Sequence, residues 1–413
     1  MIETILSAAA KKEFSRAIRF DQGREPSLPP GDGKPDRLLY VHIPFCEALC
    51  PYCSFNRVLF DESLCRRYFE ALGREMGLYR EAGYDFGGLY VGGGTPTVMI
   101  DELEKLLLRA RDTFSIREIS VETNPNHLTD RHVAALQRAG IQRLSVGVQS
   151  FDDTLLRVMG RDRYGGGDEI AGRLAEMEGR FQTLNVDMMF NMPSQTADIL
   201  EKDLAVLLKT GPAQITYYPL MVSDSTRRRV EHTLGRVDYG RERRYYSRIS
   251  ERLGERYRFA SAWCFSREEA MIDEYIVDYD EYAGLGSGSI GYMHGICYAN
   301  TFSIPAYIET VEKGRIPLMA SRSFSMRDRA RYDFVMKLFG LELDLQSLKE
   351  KYGTALYRLL WSDIAAFVLA GGLSYDDGRL HCTARGRYFW VIMMREFFTA
   401  VNNFRDFCMN RMP

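Results

Sequence analysis

Three cysteines within eight positions are the feature of this sequence that points most directly to chemistry. Cys46, Cys50 and Cys53 form a CxxxCxxC pattern directly after the β-rich run LLYVHI. Thiolate sulfur is the usual ligand of iron–sulfur clusters, and a cubane cluster typically takes four such ligands. Three protein ligands would leave one iron open to the amine and carboxylate of S-adenosylmethionine. An electron from the cluster would then break the sulfonium carbon–sulfur bond and produce a 5′-deoxyadenosyl radical.

A zinc site or a pair of redox thiols is the alternative interpretation of this pattern. Structural zinc normally takes four Cys or His ligands, usually from paired CxxC units. His42 is near the cysteines in sequence but belongs to the preceding predicted strand. The remaining cysteines are too scattered for a disulfide scaffold and are predicted to be small buried apolar residues: Cys65, Cys264, Cys297, Cys382 and Cys408.

Polar residues at later strand ends favour the iron–sulfur interpretation. The run VGGGTPTV contains three consecutive glycines, Gly92 to Gly94, which allow backbone amides to approach a ligand closely. Glu122, Gln149 and Asp187 lie at or near the ends of the next predicted strands. Such side chains suit an ammonium group and ribose hydroxyls, and Arg161 could pair with a carboxylate. Together they predict a site for a ligand with the polar groups of S-adenosylmethionine.

The elements that would position these residues alternate between strand and helix. Strand-like runs begin at residues 38, 87, 118, 143, 183 and 214, with helical patterns near 62–83, 100–113, 129–139, 167–180 and 197–210 between them. Successive βαβ units imply a parallel sheet, open or closed into a barrel. In such folds the chemistry collects at the carboxyl ends of the strands, where the residues above are predicted to lie.

The chain divides into three predicted parts. Residues 1–36 start as a helix and become rich in Gly, Pro and charge, which indicates an N-terminal arm. Residues 37–300 form the predicted barrel, and residues 301–413 form a mostly helical domain that includes a small β element around LSYDDGRLHCTARG. The boundary is placed near residue 300 because the alternation of strands and helices gives way there to a mostly helical pattern.

Composition and charge narrow the classes of function. The formal net charge is −2, from 54 basic and 56 acidic residues without long blocks of one sign, so a nucleic-acid partner is not expected. The sequence contains no apolar run of about 18 residues, the length that indicates a membrane span. Its first residues also lack the features of a signal peptide. We therefore expect a cytoplasmic protein.

Several motifs together resemble the HemN-like radical S-adenosylmethionine family. They are YVHIPFC with the following CPYC, then GGGTP, ETNP, GVQSF and the late element TARGR. The resemblance extends from residue 38 onward and is looser after residue 225. It implies an α/β fold, a partial (β/α)6 TIM-like barrel followed by a smaller HemN-type C-terminal domain. It also implies one [4Fe–4S] cluster held by the cysteine triad and two molecules of S-adenosylmethionine.

The resemblance also carries over individual binding residues. Tyr40, Gly93 and Glu122 resemble contacts to the first S-adenosylmethionine molecule. Contacts to the second are expected from Tyr52, Gly94, Thr95, Gln149, Arg161, Asp187 and Tyr218. Gly286 belongs to a GLGSGS loop similar to a family loop that closes over the same pocket. Phe55, beside the triad, is included among the cofactor-binding candidates.

Phe55 also marks a departure from the family's coproporphyrinogen oxidases, which have a further cysteine at this position. The string CPYCSFNR and the ending MREFFTAVNNFR are instead similar to the class C methyltransferases, most of all to the menaquinone methyltransferases MenK and MqnK. That resemblance implies methylation of an sp² ring carbon. Decarboxylation of coproporphyrinogen and a haem chaperone of the HemW type remain the alternatives.

The methyltransferase interpretation implies further expectations. A methylene radical formed on the second S-adenosylmethionine would add to the ring, and Asp187, Tyr217 and Tyr218 are candidates for the base that assists the last step. The partners would be an aromatic substrate, menaquinone or a porphyrin, and an electron-transfer protein of flavodoxin or ferredoxin type. Phe397, Val401, Phe404 and Cys408 form an amphipathic stripe. This stripe is expected to pack on the barrel, with closure of a substrate pocket or peripheral contact at the inner membrane face as alternatives.

Overall fold

The fold is given by a computed structural model that describes residues 2–18, 20, 26–269, 272 and 275–411. An N-terminal helix precedes a region in which strands alternate with helices. In chain order these elements are α1 (Ile2–Ala17), β1 (Leu38–Ile43), β2 (Phe45–Cys46), β3 (Val58–Leu59), α2 (Glu62–Glu81), β4 (Gly88–Gly93), α3 (Ile100–Thr113), β5 (Glu118–Thr123), α4 (Asp130–Arg138), β6 (Arg143–Gln149), α5 (Asp153–Val158), α6 (Gly167–Glu176), β7 (Thr183–Phe190), α7 (Ala197–Thr210) and β8 (Gln214–Pro219).

The second half of the chain contains two further helices, short antiparallel strands and a helical region. These elements are α8 (Asp224–Thr233), α9 (Tyr239–Leu253), β9 (Arg258–Phe259), β10 (Cys264–Ser266), β11 (Tyr282–Leu285), β12 (Ile290–Met293), β13 (Ile296–Asn300), α10 (Ile304–Glu312), β14 (Leu318–Ser323), α11 (Met326–Phe339), β15 (Glu342–Asp344), α12 (Leu345–Tyr352), α13 (Ala355–Leu369), β16 (Leu373–Asp376), β17 (Arg379–Cys382) and α14 (Ala384–Arg411).

One large sheet organises the fold. Its strand order is β14-β13-β12-β11-β1-β4-β5-β6-β7-β8-β10-β9. The strands β1, β4, β5, β6, β7 and β8 pair in parallel and alternate with helices, which confirms the predicted α/β fold with a parallel sheet. Strand β11 pairs in parallel with the other edge of β1, and antiparallel strands extend the sheet at both ends.

Alternation along the strands gives the sheet two different faces. Leu39, Val41 and Ile43 of β1 are fully buried in the large apolar core together with residues of the surrounding helices. Leu38 and Tyr40 point to the other face, where they join a cluster rich in tyrosines. Successive side chains of a strand point to opposite faces, so one face packs on helices and the other lines the interior of the barrel, called the lumen below.

The helices that pack on the sheet follow local sequence signals. Asp61 caps α2 by accepting a hydrogen bond from the amide of Leu64 at 2.7 Å. Helix α7 ends at Gly211, whose φ of 59° is the left-handed conformation that glycine adopts readily. The glycine explains why the predicted helix 197–210 ends where it does, and the predicted helix 100–113 also matches the observed bounds.

Both ends of the described chain pack against the barrel. Helix α1 contacts α14, for instance through Phe14 and Phe397, whose ring centres are 5.5 Å apart. The large sheet continues past residue 300 to Ser323, while a separate three-stranded sheet, β15-β17-β16, accompanies the last helices. The division at residue 300 stays a prediction. No helix in the described part of the chain is long and apolar enough to cross a bilayer.

Candidate active site

The cysteine triad lies on one loop at the carboxyl end of β1. Cys46 ends β2, and Cys50 and Cys53 lie on either side of a turn at residues 51–52; all three thiols are free. Among the described residues, no group of three His, Cys, Asp or Glu side chains is arranged as a preformed metal site. Burial, followed by the neighbouring Cys53, raises the pKa of Cys46 to about 12. Thiolate formation at this position therefore requires nearby positive charge, such as a bound metal.

Two arginines supply positive charge on either side of the triad. The Arg57 guanidinium donates to the backbone oxygens of Cys50 and Cys53, the latter at 2.9 Å. The Arg161 guanidinium lies 3.8 Å from the Cys50 sulfur. These two cations would offset the negative charge of a cluster bound by three thiolates, so the loop fits such a group.

The predicted contacts to the first S-adenosylmethionine meet beside this loop. His42 Nε2 lies 2.8 Å from the carbonyl oxygen of Asn56, which can only accept, so Nε2 carries the proton. His42 Nδ1 then accepts from the Tyr40 hydroxyl at 2.9 Å. Burial lowers the pKa of His42 to about 4, which keeps the ring neutral near pH 7. Because the Tyr40 hydroxyl donates its proton to His42, its oxygen can accept a hydrogen bond from the ammonium group of a ligand.

Glu122 lies next to Tyr40 in the lumen. Its carboxylate accepts hydrogen bonds from the Tyr90 hydroxyl at 2.9 Å and from the Gly93 amide at 3.1 Å. This places a second acceptor for an ammonium group near the Tyr40 hydroxyl. The three residues assigned to the first cofactor molecule, Tyr40, Gly93 and Glu122, therefore form one local group.

The three glycines leave no room for side chains. A Cβ on Gly93 would come within 2.6 Å of the His42 ring, and its φ of +115° disfavours other residues. A Cβ on Gly94 would come within 2.6 Å of the Phe45 carbonyl oxygen and 3.0 Å of the Cys46 sulfur. The glycines thus allow the backbone to run directly beside the cysteine loop.

Gly93→Ala should therefore destabilise the fold by about 1–3 kcal/mol, because it combines a disfavoured φ with a steric clash against a buried ring. The free energy of unfolding can be measured by urea titration. Gly77→Ala is the matched control: Gly77 lies within α2, a Cβ there would meet nothing within 4 Å, and we expect unchanged or slightly higher stability. Equal losses in both variants would contradict this account.

The predicted contacts to the second molecule gather around Arg161. This buried guanidinium donates to the Asn124 side-chain oxygen at 2.9 Å and to the Gly147 carbonyl oxygen. Asn124 in turn donates to the Thr95 hydroxyl at 2.9 Å. Tyr52 is buried and faces Arg161. Asn124 thus connects Thr95 with Arg161, and Arg161 contacts Tyr52 directly. The sequence-based assignment did not include Asn124, although it belongs to the ETNP motif.

Asp187 and Gln149 lie on neighbouring strands near Arg161. The Asp187 carboxylate accepts from Ser145 Oγ and Asn185 Nδ2, each at 2.7 Å, so its orientation in the lumen is fixed. Gln149 ends β6 with a φ of 75°, an uncommon value for a residue other than glycine. Such local strain is frequent at functional sites.

The adjacent candidates Tyr217 and Tyr218 face opposite sides of β8. Tyr218 is partly buried, with its ring centre 5.2 Å from that of Trp263. Tyr217 is buried in the helix-facing core beside Phe190, at 6.2 Å between ring centres. Its register partner is Met188, one residue after Asp187, and alternation directs it away from the lumen. The structure therefore does not bring Tyr217 to the candidate site.

Phe55 and Gly286 occupy different environments. The Phe55 side chain is 52% exposed, and its carbonyl oxygen accepts from Arg405 of α14 at 2.8 Å. Gly286 is buried and donates its amide to the Glu75 carboxylate at 2.9 Å. A Cβ on Gly286 would come within 2.5 Å of the His42 carbonyl oxygen. Its observed role is close packing against β1, and a cofactor contact by either residue stays a prediction.

Glu75, which holds this glycine, should make stability depend on pH. It is fully buried, and burial raises its pKa to about 7 although Tyr307, Gly286 and Asn300 donate hydrogen bonds to it. The folded state therefore binds this proton more tightly than the unfolded state, so stability falls as pH rises from about 4.5 to 7, by up to about 3 kcal/mol. In Glu75→Gln this part of the decline should vanish from urea titrations at several pH values. An unchanged pH dependence would contradict the assignment.

A cavity of about 430 Å³ lies between the barrel and the terminal helices. Tyr282 and Cys297 form part of its barrel wall, and most of its other walls come from α1, α11, α13 and α14. Phe397 and Val401 of the predicted C-terminal stripe line it directly. Helix α14 thus packs against neighbouring helices, and Phe397 and Val401 of its stripe also close one side of an apolar cavity.

Comparisons with known proteins bear on this site. Residues 40–230 match the Radical SAM superfamily. The haem chaperone HemW of Bacillus subtilis is 26% identical over 369 residues, which cover 84% of this chain and 95% of that protein. The oxygen-independent coproporphyrinogen III oxidase of Paracoccus denitrificans is 32% identical over 191 residues, covering 44% and 42% of the two chains.

The fold also has a solved counterpart. The coproporphyrinogen III oxidase HemN of Escherichia coli superposes with a TM-score of 0.74 at 21% identity and covers 88% of this chain and 91% of its own. The superfamily match implies a [4Fe–4S] cluster and S-adenosylmethionine, for which the cysteine loop and the Tyr40 group are suited. Residues 40–230 thus match the radical SAM superfamily, and the chain is similar over most of its length to the HemN-like proteins named above.

Proposed function

We propose that this protein is a C-methyltransferase that uses two molecules of S-adenosylmethionine to methylate an sp² carbon of an aromatic ring. Our preferred substrate is the naphthoquinone ring of menaquinone, with an electron donor of flavodoxin or ferredoxin type. The observation that carries this proposal is the apolar character of the cavity beside the lumen.

The charged side chains of the cavity are already paired. Arg331 lies 2.9 Å from the Asp363 carboxylate and 3.6 Å from that of Glu13. Arg322 donates to the carbonyl oxygens of Arg16 and Ala17 and faces Asp328 at 3.8 Å. A ligand with several carboxylates would need unpaired cations. An uncharged ring with a hydrocarbon substituent needs none, so the cavity suits a quinone better than coproporphyrinogen.

Aromatic rings connect the cavity wall with the cofactor residues. Tyr282, which lines the cavity, has its ring centre 5.2 Å from that of Tyr275. The Tyr275 ring is stacked on that of Tyr40 at 5.9 Å. A planar substrate in the cavity would therefore contact Tyr282, the first of these three connected rings. The last of them, Tyr40, is a predicted contact to the first S-adenosylmethionine molecule.

Polar residues in the lumen support the proposal of a second cofactor molecule. The Arg161 guanidinium could form an ion pair with the carboxylate of this molecule. Further polar groups are available from residues predicted to contact the same molecule: Thr95, Gln149, Asp187 and Tyr218. When bound, the cluster and the two S-adenosylmethionine molecules would supply the radical and the methyl group. Of the three candidate bases Asp187 is the best placed, because Ser145 and Asn185 hold its carboxylate in the lumen, where it could accept a proton.

A haem chaperone function is the second candidate, and the comparisons favour it over methyl transfer. Relatives with this name align over most of the chain, at 26–29% identity and 84–88% coverage in Bacillus subtilis and Mycobacterium tuberculosis. Haem has a largely apolar macrocycle and fewer carboxylates than coproporphyrinogen. It would therefore need fewer unpaired cations in the cavity, whose charged side chains are already paired.

One experiment separates these functions. The protein, reconstituted anaerobically with iron and sulfide, is incubated in separate reactions with reductant, methyl-labelled S-adenosylmethionine and menaquinone, coproporphyrinogen or haem. A methyltransferase yields labelled quinone and one S-adenosylhomocysteine per product. Vinyl groups with carbon dioxide would instead indicate a decarboxylase, and stoichiometric haem binding without labelled product would indicate a chaperone. Either result would overturn the methyltransferase proposal.

A further inference from the structure

Helix α13 carries large apolar side chains on its solvent side. Tyr357, Trp361 and Val368 are 55%, 69% and 41% exposed, and Leu369 at the end of the helix is 88% exposed. Spacings of four and seven residues place Tyr357, Trp361 and Val368 on one face of the helix. Single exposed apolar residues are ordinary, but a continuous patch with aromatic members indicates an interaction surface. We call these four residues the α13 patch.

The other side of α13 lines the apolar cavity through Ala366, Phe367 and Ala370. Ala366 is itself exposed, as is Ile5 of α1, which lines the same cavity and is 63% exposed. The mouth of the cavity therefore lies between α1 and α13. Leu369 and Ala370 follow one another in sequence, so the α13 patch adjoins this apolar mouth.

We propose that the α13 patch docks on a lipid bilayer and places the mouth of the cavity at the membrane surface. Tyr and Trp side chains favour the membrane–water interface, while aliphatic side chains such as Leu369 enter the acyl region. Arg358, exposed and next to Tyr357, forms no ion pair within the described residues and can reach lipid headgroups. A ligand that fits the apolar cavity partitions into lipid, so the bilayer is both the surface that is docked on and the source of the ligand.

Docking itself is independent of methyl transfer, although the identity of the lipid-borne ligand rests on the proposed function. The location also differs from the membrane contact considered for the C-terminal helix. Phe397 and Val401 of α14 face the cavity and Cys408 is buried, so that stripe does not offer a free face. Helix α13 takes this role instead.

Tryptophan fluorescence tests the proposal with the reconstituted full-length protein. Trp263 and Trp390 are fully buried, so Trp361 is the tryptophan that would respond to a surface. Vesicles of phosphatidylcholine and phosphatidylglycerol should shift its emission to shorter wavelength and carry the protein upward in a flotation gradient.

The double variant Trp361→Ser/Leu369→Ser should lower partitioning into the vesicles about tenfold or more. The control Leu108→Ser removes a leucine that is 42% exposed on α3 and should leave partitioning unchanged.

Three outcomes would overturn the proposal. Wild-type protein that stays unbound to vesicles would do so, as would equal losses in the double variant and the control. Concentration-dependent dimerisation in sedimentation velocity, abolished by the same substitutions, would assign the α13 patch to a second copy of the chain. Methylation of detergent-solubilised quinone is measured in parallel. Vesicle binding without methylation supports docking and rejects the proposed function, whereas methylation without vesicle binding rejects docking alone.

Discussion

Cys50→Ala should abolish cluster binding and reduce reductive cleavage of S-adenosylmethionine by roughly a thousandfold, to background. Loss of a residue that merely supports a metal ligand typically costs about 10–100-fold, and loss of a ligand should cost more. Cys50 also lies 3.8 Å from the Arg161 guanidinium, so its removal would leave that buried cation without a neighbouring thiolate. Iron content, the visible absorbance of the cluster and the yield of 5′-deoxyadenosine would be measured.

Cys65→Ala is the matched control for this prediction. Cys65 is a fully buried cysteine in α2, within the apolar core. Its substitution should leave iron content and deoxyadenosine formation intact, with only a small loss of stability. If Cys50→Ala retained a full cluster and normal cleavage activity, the assignment of the triad as the cluster ligands would be wrong.

Arg161→Met should reduce methyl transfer by about 100-fold while deoxyadenosine formation changes much less. The substitution keeps an unbranched side chain but removes the hydrogen bonds to Asn124 and Gly147 and the positive charge that would pair with the carboxylate of the second cofactor. The first cofactor contacts, Tyr40 and Glu122, remain. S-Adenosylhomocysteine and 5′-deoxyadenosine would be quantified separately in the same reaction.

The neighbouring Arg163 provides the control for this substitution. It is exposed, two residues further along the chain, and Arg163→Met should leave both products unchanged. Because Arg161→Met leaves buried acceptors unpaired, it should also lower the free energy of unfolding by about 1–3 kcal/mol. Parallel loss of both products in a folded protein would contradict a selective role for Arg161 at the second cofactor.

Strand-end residues were predictable because the βαβ rhythm determines which positions share an edge of the sheet. Cys46 and Gly93 end strands, and Glu122 is the next-to-last residue of β5. Asp187 lies within β7, on its lumen face. The roles of these residues with two cofactor molecules came from the resemblance to a family and remain predictions.

Other features of the site depend on information that the sequence does not contain locally. Tyr217 and Tyr218 are adjacent in a strand that is buried on both faces, so apolar patterning does not indicate which of them faces the lumen. Asn124 becomes notable only when Arg161, 37 positions later, donates to it. The cavity requires α1 and α14 to meet, and periodicity within either helix does not indicate that contact.

The position of β1 between β4 and β11 has a consequence for folding. The paired residues of β1 and β11 are about 244 positions apart in the sequence. The same interval separates Arg37 from Glu281, whose side chains form a hydrogen bond beside these strands. A nascent chain would expose one edge of β1 until β11 has been synthesised, and exposed strand edges promote association between chains. Long-range pairing of this kind also slows folding. Recombinant yield should therefore depend on chaperones and on slow synthesis at low temperature more than on the stability of the finished barrel.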